Sequence, residues 1–175
     1  MTAQLRASGV AAGVWIVSDS RTRVTFAVRN LGKPVRGAVT CGWGEVEVGG
    51  SSDPVRIIAE LDLGSIDTGI ARRDADLRKP GLLDIDRHPT MTWTCASFAP
   101  DGEGRWVADG VVHVRGTSAP LRVSATAEPQ PDGWLRIRGT ATLDRTAVGI
   151  RAPRFLIGRI VEIDVDAWLS RRCPG

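Results

Sequence analysis

The densest group of side chains able to do chemistry lies between Ser65 and Trp93, in the run SIDTGIARRDADLRKPGLLDIDRHPTMTW. Arg72 and Arg73 stand there beside Asp74, and an arginine pair of this kind can bind an anionic head group. The same charges can instead fix a loop, with Asp74 joined to an arginine by charge-assisted hydrogen bonds. We favour the second, structural interpretation.

Asp109 and His113 are the best candidates for acid–base catalysis. They lie four residues apart in the run RWVADGVVHVRG and therefore share one face of a predicted strand. However, no serine or cysteine stands in a nucleophile motif such as G-x-S-x-G, and the chain has two histidines and no tyrosine. We predict that the protein is not an enzyme. Catalysis on a lipid-like substrate through these two residues is the least favoured alternative.

The cysteines and histidines indicate neither a metal site nor a disulfide framework. Cys41, Cys95 and Cys173 are odd in number and far apart, and His88 and His113 are well separated. We therefore predict no metal and no cofactor. Cys41 and Cys95 are expected to be small buried hydrophobic residues.

The composition fits one globular domain over residues 1–175. With 42% hydrophobic and 25% charged residues, a chain of 175 residues can bury a sizeable core. The net charge is only +3, and the arginines are scattered rather than gathered with stacking aromatics, so no nucleic-acid partner is expected. No segment approaches membrane-spanning length, and the first 17 residues make a poor signal peptide. We expect a soluble cytoplasmic protein without stable membrane insertion.

Most of the remaining chain alternates between apolar and polar residues with a period of two. In RVTFAVRN, Val24, Phe26 and Val28 share one face, and GAVTCGWGEVEVG places Trp43 in phase with Cys41. Eight to ten such strands, joined by short Gly/Pro/Asp turns, predict an antiparallel sheet with one solvated face. The sheet can form a sandwich or a closed barrel, and an eight-stranded barrel is either filled or holds one small ligand.

Several motifs, in order, resemble the YceI-like, polyisoprenoid-binding family. They are SIDTG, RRDADLR, LLD, HPTMTW, GVVHVRGTSAPLRV and RTAVGI. The resemblance runs from about Gly13 to Leu169. It implies an all-β, lipocalin-like, eight-stranded antiparallel barrel with a short helical insertion, as a single YceI-like domain whose core covers about residues 13–169. It also implies an apolar pocket for a long isoprenoid lipid, such as a polyprenyl chain or a quinone tail, for storage, transport or stress protection.

The resemblance also implies that the insertion packs over the barrel. The residues expected to hold it there are Ser65, Asp67, Arg73, Asp74 and Leu77. Leu82 and Val148 stand where relatives usually carry aromatic side chains, which leaves the identity of the ligand open.

Strand phase then selects candidate wall residues for the pocket. They are Phe26, Val28, Val39, Ile57, Leu61, Trp93, Val111, Val123, Ile137 and Ile163. Arg151, Arg154 or Arg159, from a long arginine-rich loop, either meets a phosphate at the mouth or is simply solvated. The main alternative is a barrel filled by its own side chains that acts as an interaction or stress protein. A homodimer through the charged outer faces is also left open.

Overall fold

Over the residues that the structure describes, the fold is a sheet of nine antiparallel strands with one short α-helix and one 3-10 turn. A computed structural model describes residues 9–30, 32–51, 53–102, 105–151 and 158–173. Its elements are β1 Gly13–Val17, β2 Arg23–Asn30, β3 Lys33–Val48, β4 Pro54–Asp67, α1 Ala71–Leu77, β5 Thr90–Pro100, β6 Arg105–Val114, β7 Thr117–Pro129, β8 Leu135–Asp144, a 3-10 turn Arg145–Val148 and β9 Ile160–Arg171.

The sheet closes into a barrel with eight strand positions. β3 pairs with β4, and each later strand pairs with the next as far as β9. β1 and β2 both lie between β3 and β9, so together they form one interrupted strand that closes the circle. The predicted eight-stranded antiparallel barrel is confirmed. Closure leaves no long unpaired edge among the described strands.

A two-residue period separates the inside of this barrel from the outside. Val112, Leu135 and Leu169 are completely or almost completely buried on the inner face. On the outer face, neighbouring strands are joined by ion pairs such as Arg136–Asp166, whose two hydrogen bonds are 2.9 and 2.7 Å long. Apolar burial therefore fixes the register, because a slip by one residue would turn every inner side chain outward.

The phase predicted for Trp43 is wrong, because β3 contains a β-bulge. The pairing of β3 with β4 shifts register between Cys41 and Trp43, which puts one extra residue into β3. Cys41 before the bulge is buried, whereas the Trp43 side chain is 41% exposed. Val46 and Val48, beyond the bulge, point inward again.

The interruption between β1 and β2 is held by an arginine between two tryptophans. The guanidinium of Arg21 lies 4.2 Å from the ring centre of Trp134 and 4.3 Å from that of Trp168. The Trp168 amide donates to the Thr22 hydroxyl oxygen at 3.1 Å, so the bridging residues stay attached to β9 outside the regular ladder. Cation–π contacts of this kind add to the apolar packing of both rings.

α1 belongs to the insertion between β4 and β5, which covers residues 68–89. In the described part of the chain, no helix is both long and apolar enough to cross a lipid bilayer.

Candidate functional site

The interior of the barrel contains two apolar chambers, each with a volume of about 150 Å³. The lid-end chamber lies at the end that the insertion covers, and the middle chamber lies deeper. Four side chains line both chambers, so the two meet at a shared collar; they are Val24, Leu61, Met91 and Ile163. A smaller apolar pocket of about 60 Å³ follows beyond the middle chamber. Apolar space therefore extends along most of the barrel axis.

The insertion closes the lid-end chamber with leucines. Leu77, at the end of α1, and Leu82 and Leu83 beyond it all contribute to the chamber wall. Asp74 holds the start of the helix, because its carboxylate accepts hydrogen bonds from the Thr68 amide at 3.0 Å and the Thr68 hydroxyl at 2.6 Å. Asp74 is therefore anchored by Thr68. The prediction that an arginine is its hydrogen-bond partner is wrong.

Two other predicted anchors make local bonds at the end of β4. The Ser65 hydroxyl accepts from the Thr40 amide at 2.7 Å and donates to the Asp62 carbonyl at 2.5 Å. The Asp67 carboxylate accepts from the Gly69 amide at 2.8 Å. These bonds fix the point where the chain leaves the barrel wall. The anchoring role of Arg73, a half-buried residue on α1, stays a prediction.

Arg145 is a buried cation that sequence reasoning missed. It is 3% exposed and, among the described residues, is the one charged side chain in the wall of the lid-end chamber. Its Nε donates to the Gly158 carbonyl at 2.9 Å and its Nη1 to the Ile150 carbonyl at 2.8 Å. A buried charge has to be met by hydrogen bonds, and here loop carbonyls provide them. The position of Arg145 directly after a strand, at the start of the matching run RTAVGI, is the signal that could have singled it out.

Asp144 closes the same loop from outside. Its carboxylate accepts from the Thr146 amide at 2.9 Å, capping the 3-10 turn, and from the Arg159 guanidinium at 2.6 Å. The Arg159 guanidinium and the Thr146 hydroxyl hold the pKa of this carboxyl well below its usual range. The two ends of the late loop, residues 145–159, are thereby tied together.

One arginine joins the insertion to the late loop. Arg115 lies in the turn between β6 and β7 with φ = 54°, in the left-handed region. Its Nη1 donates to the Gly149 carbonyl at 2.5 Å and its Nη2 to the Pro80 carbonyl at 2.8 Å. Both segments that cover the lid-end chamber are therefore linked through a single guanidinium.

Comparison with known proteins places this barrel in a family. A model of the YceI-like domain matches residues 15–169. The chain belongs to the YceI-like family. Two UPF0312 proteins, from Pectobacterium carotovorum and Pseudomonas aeruginosa, are 30% and 28% identical over 82 and 106 residues. These matches cover 47% and 58% of this chain and 41% and 54% of the relatives, so the chain spans about half the length of the curated relatives that it matches.

Solved structures share this fold at low sequence identity. Burkholderia cenocepacia BcnA superposes with a TM-score of 0.77 and 16% identity, over 87% of this chain and 98% of BcnA. A polyisoprenoid binding domain from Saccharophagus degradans, implicated in plant cell wall breakdown, gives 0.71 and 12%, over 93% of this chain and the whole of that domain. The predicted family is confirmed, and these likenesses agree with the barrel described above.

Nine of the ten wall residues selected by strand phase line this YceI-like cavity. Phe26, Val28 and Val39 face the lid-end chamber, and Leu61 and Ile163 belong to the collar. The remaining four line the middle chamber; they are Ile57, Trp93, Val123 and Ile137. Their part in binding a ligand stays a prediction.

Val111 is the exception, and its prediction as a wall residue is wrong. Its side chain is 38% exposed on the outer face, whereas its neighbour Val112 is fully buried. The run GVVHV offers two adjacent valines, so apolar character alone does not set the phase of β6. Gly110 does set it, because the Trp93 ring crosses the inner face there. A Cβ at Gly110 would lie 2.5 Å from the Trp93 Nε1 atom.

Trp93 is the aromatic residue best placed to report on the middle chamber. Its indole N–H donates to the Leu121 carbonyl at 3.0 Å, which satisfies its polar atom and fixes the ring against the wall. The ring therefore faces apolar space without an unsatisfied indole N–H group.

The arginines predicted at the mouth have different surroundings. Arg151 is exposed, while Arg159 is engaged by Asp144. Arg154 lies outside the described residues.

The catalytic candidates lie on the outer surface, away from both chambers. His113 is exposed, and Asp109 accepts from the Arg122 guanidinium at 2.6 and 3.3 Å. Within the described ranges, no three acidic, histidine or cysteine side chains are close enough together to hold a metal ion. Cys41 and Cys95 are buried as expected, and burial raises the pKa of both thiols, which keeps them protonated.

Proposed function

We propose that this protein binds an isoprenoid-type lipid, a polyprenyl chain or a quinone tail, inside the barrel without chemical turnover. The observation that carries the proposal is the pair of apolar chambers meeting at a common collar. A hydrocarbon chain needs a wall of this kind, and a completely filled barrel would not leave that space. Storage, transport and stress protection are the roles that such reversible binding serves.

Release of water from apolar surface supplies the binding energy. Burial contributes about 0.8 kcal/mol per CH₂ group, so a five-carbon isoprene unit contributes about 4 kcal/mol before costs. Association and ordering of the chain take back part of this gain, on the order of several kcal/mol for the first unit. This energy source requires no catalytic group, which agrees with the outward positions of Asp109 and His113.

A related structure supports the choice of ligand class. The Saccharophagus degradans domain that shares this fold is described as binding polyisoprenoid. For this chain, exposed Arg151, together with Arg154 three residues later in the sequence, is the proposed contact for an anionic head group. The cytoplasm remains the expected compartment, and a homodimer remains open.

Organic extraction of the purified protein, followed by mass spectrometry, tests the proposal. A co-purifying isoprenoid, or saturable binding of added geraniol or farnesol, is the expected result. Protein that carries no such lipid and fails to bind either alcohol would rule the proposal out.

A pair of variants tests whether the ligand lies inside the barrel. Ala141→Phe places a phenyl ring in the middle chamber, whereas Val111→Phe places the same ring on the outer face. A cavity of about 150 Å³ holds one benzene molecule, so the first variant should lose most of its isoprenoid binding and the second should retain it. Equal binding by both variants would contradict an interior site.

His113→Ala separates binding from catalysis. Since His113 points away from the chambers, isoprenoid binding should be unchanged in this variant. Consumption of a lipid substrate by the native protein that is abolished in His113→Ala would instead establish an enzyme.

A further inference from the structure

The end of the barrel that the insertion covers, here called the lid end, is rich in basic residues, although the chain as a whole has nearly equal numbers of basic and acidic residues. Four segments meet at this end: residues 29–36, 67–89, 115–116 and 144–159. Their described residues include twelve basic and six acidic side chains, while the whole chain has 23 and 20. The described residues outside these segments include nine basic and thirteen acidic side chains, so the positive charge is concentrated at the lid end of the barrel.

Many of these cations are available to a partner. Three basic residues at this end form ion pairs with carboxylates: Arg78, Lys79 and Arg159. Six others are exposed and make no hydrogen bond or ion pair through their side chains within the part of the chain that the structure describes; they are Arg29, Lys33, Arg36, Arg72, Arg87 and Arg151. They come from three separate segments, so they form a rim of positive charge rather than one run of sequence.

Two large apolar side chains are exposed at the same end. Ile70, immediately before α1, is 48% exposed, and Ile160, the first residue of β9, is 50% exposed. Both stand next to segments that close the lid-end chamber, because α1 ends in Leu77 and Ile160 pairs with Asp144. A surface that combines exposed apolar side chains with surrounding basic residues is typical of proteins that bind peripherally to anionic lipid bilayers.

We infer that the lid end of the barrel docks on the surface of an anionic lipid bilayer. The rim cations contact lipid phosphates while Ile70 and Ile160 enter the boundary between head groups and acyl chains. A tail can then pass between the bilayer and the lid-end chamber without crossing water, which would cost the apolar free energy that drives its binding. The contact is peripheral and reversible. It extends the proposed function, yet it can fail separately, because vesicle binding requires no isoprenoid.

Flotation with lipid vesicles tests the electrostatic part. The protein should float with vesicles containing one third phosphatidylglycerol and not with pure phosphatidylcholine, and added salt should release it, since exposed charges are screened beyond about 10 Å at 0.1 M ionic strength. Each basic side chain near such a surface contributes roughly a fivefold factor in binding. Lys33→Glu with Arg87→Glu should therefore weaken binding by at least about 25-fold.

The opposite end of the barrel provides a matched control. Arg56 and Arg105 are exposed residues there, and Arg56→Glu with Arg105→Glu makes the same change in net charge. This pair should weaken vesicle binding only severalfold. An equal loss in both double variants would show attraction by net charge and would overturn an oriented contact. Absence of binding to either vesicle would overturn the inference entirely.

The apolar part is tested in the same assay. Ile70→Ser should reduce binding to phosphatidylglycerol vesicles severalfold, whereas Val55→Ser should not, although Val55 is 47% exposed at the far end. Equal effects would contradict insertion at the lid end. Geraniol binding in the absence of vesicles should remain unchanged in Lys33→Glu with Arg87→Glu, so loss of docking is distinguished from loss of the lipid site.

Discussion

The volumes of the chambers predict how affinity depends on the length of an isoprenoid tail. A cavity of about 150 Å³ accommodates one benzene-sized group, which is close to one five-carbon unit. Two such chambers meet at the collar, so the closed barrel has room for about two isoprene units. The pocket beyond the middle chamber, of about 60 Å³, is smaller than a third unit, which would have to displace wall side chains or remain outside the barrel.

The expected affinity series follows from this limit. Each isoprene unit gains about 4 kcal/mol of burial free energy, and ordering of its rotatable bonds reduces this gain to about 2 kcal/mol net. A net gain of about 2 kcal/mol corresponds to about a thirtyfold increase in affinity. Binding should therefore strengthen about thirtyfold from prenol to geraniol. It should change by less than about threefold from geraniol to farnesol, because the pocket of about 60 Å³ beyond the middle chamber is too small for a third unit. Isothermal titration calorimetry in the same detergent-free buffer measures the dissociation constant of each alcohol in the series.

Two results would refute this reasoning. Equal increments through farnesol and geranylgeraniol would mean that the interior opens well beyond the two chambers. Absence of a gain between prenol and geraniol would mean that the tail does not enter them. Ala141→Phe is the internal control. Because its phenyl ring fills the middle chamber, the affinity of this variant should stop increasing at a tail one isoprene unit shorter than in the native protein.

Three further predictions concern the insertion, the chamber wall and the late loop. Asp74→Ala removes two hydrogen bonds to a carboxylate and should destabilise the start of α1 by about 1–2 kcal/mol, detected as faster amide exchange near Leu77. Asp76→Ala removes only an exposed ion pair with Lys79 and should leave that exchange unaltered. Trp93→Phe should abolish any change in tryptophan fluorescence on isoprenoid binding, and Trp43→Phe should preserve it, because only the former ring lines a chamber; the opposite pattern would remove Trp93 from the site. Asp144 has a lowered pKa in the folded state, so the stability that its charged form contributes is complete above the unfolded pKa of about 4 and declines progressively as the pH falls from there toward the folded-state pKa. Asp144→Asn should accordingly be less stable than the native protein at neutral pH, with the difference in melting temperature shrinking in acid; a constant difference would disprove the role of its charge.

The sequence was sufficient for the strands and for most of the cavity wall. Alternation such as that of Val24, Phe26 and Val28 gives both the element and its inner face, because one buried face imposes a strict two-residue period. Where that period is broken or ambiguous, the prediction failed. The bulge before Trp43 reverses the phase of β3, and the adjacent pair Val111 and Val112 fits either phase.

Features that depend on distant partners were beyond the sequence. The collar joins residues of four strands, and its existence follows only from how the barrel closes. Arg145 looks like one more cation in an arginine-rich loop until the carbonyls of Ile150 and Gly158 are seen around it. Asp74 was identified as an anchor from its motif, but its partner Thr68 was not, because the choice between Thr68 and an arginine depends on the local backbone path.

The guanidinium of Arg115 has a consequence for the kinetics of exchange. Because it donates to the Pro80 carbonyl on one side and to the Gly149 carbonyl on the other, movement of either segment breaks a hydrogen bond to the guanidinium that also holds the other segment. We therefore expect the two segments to open together, and lipid loading should follow a single exponential whose rate is set by the protein rather than by the length of the tail. A lysine at this position, with one compact ammonium in place of a planar fork, would uncouple the two segments and split that one phase into two.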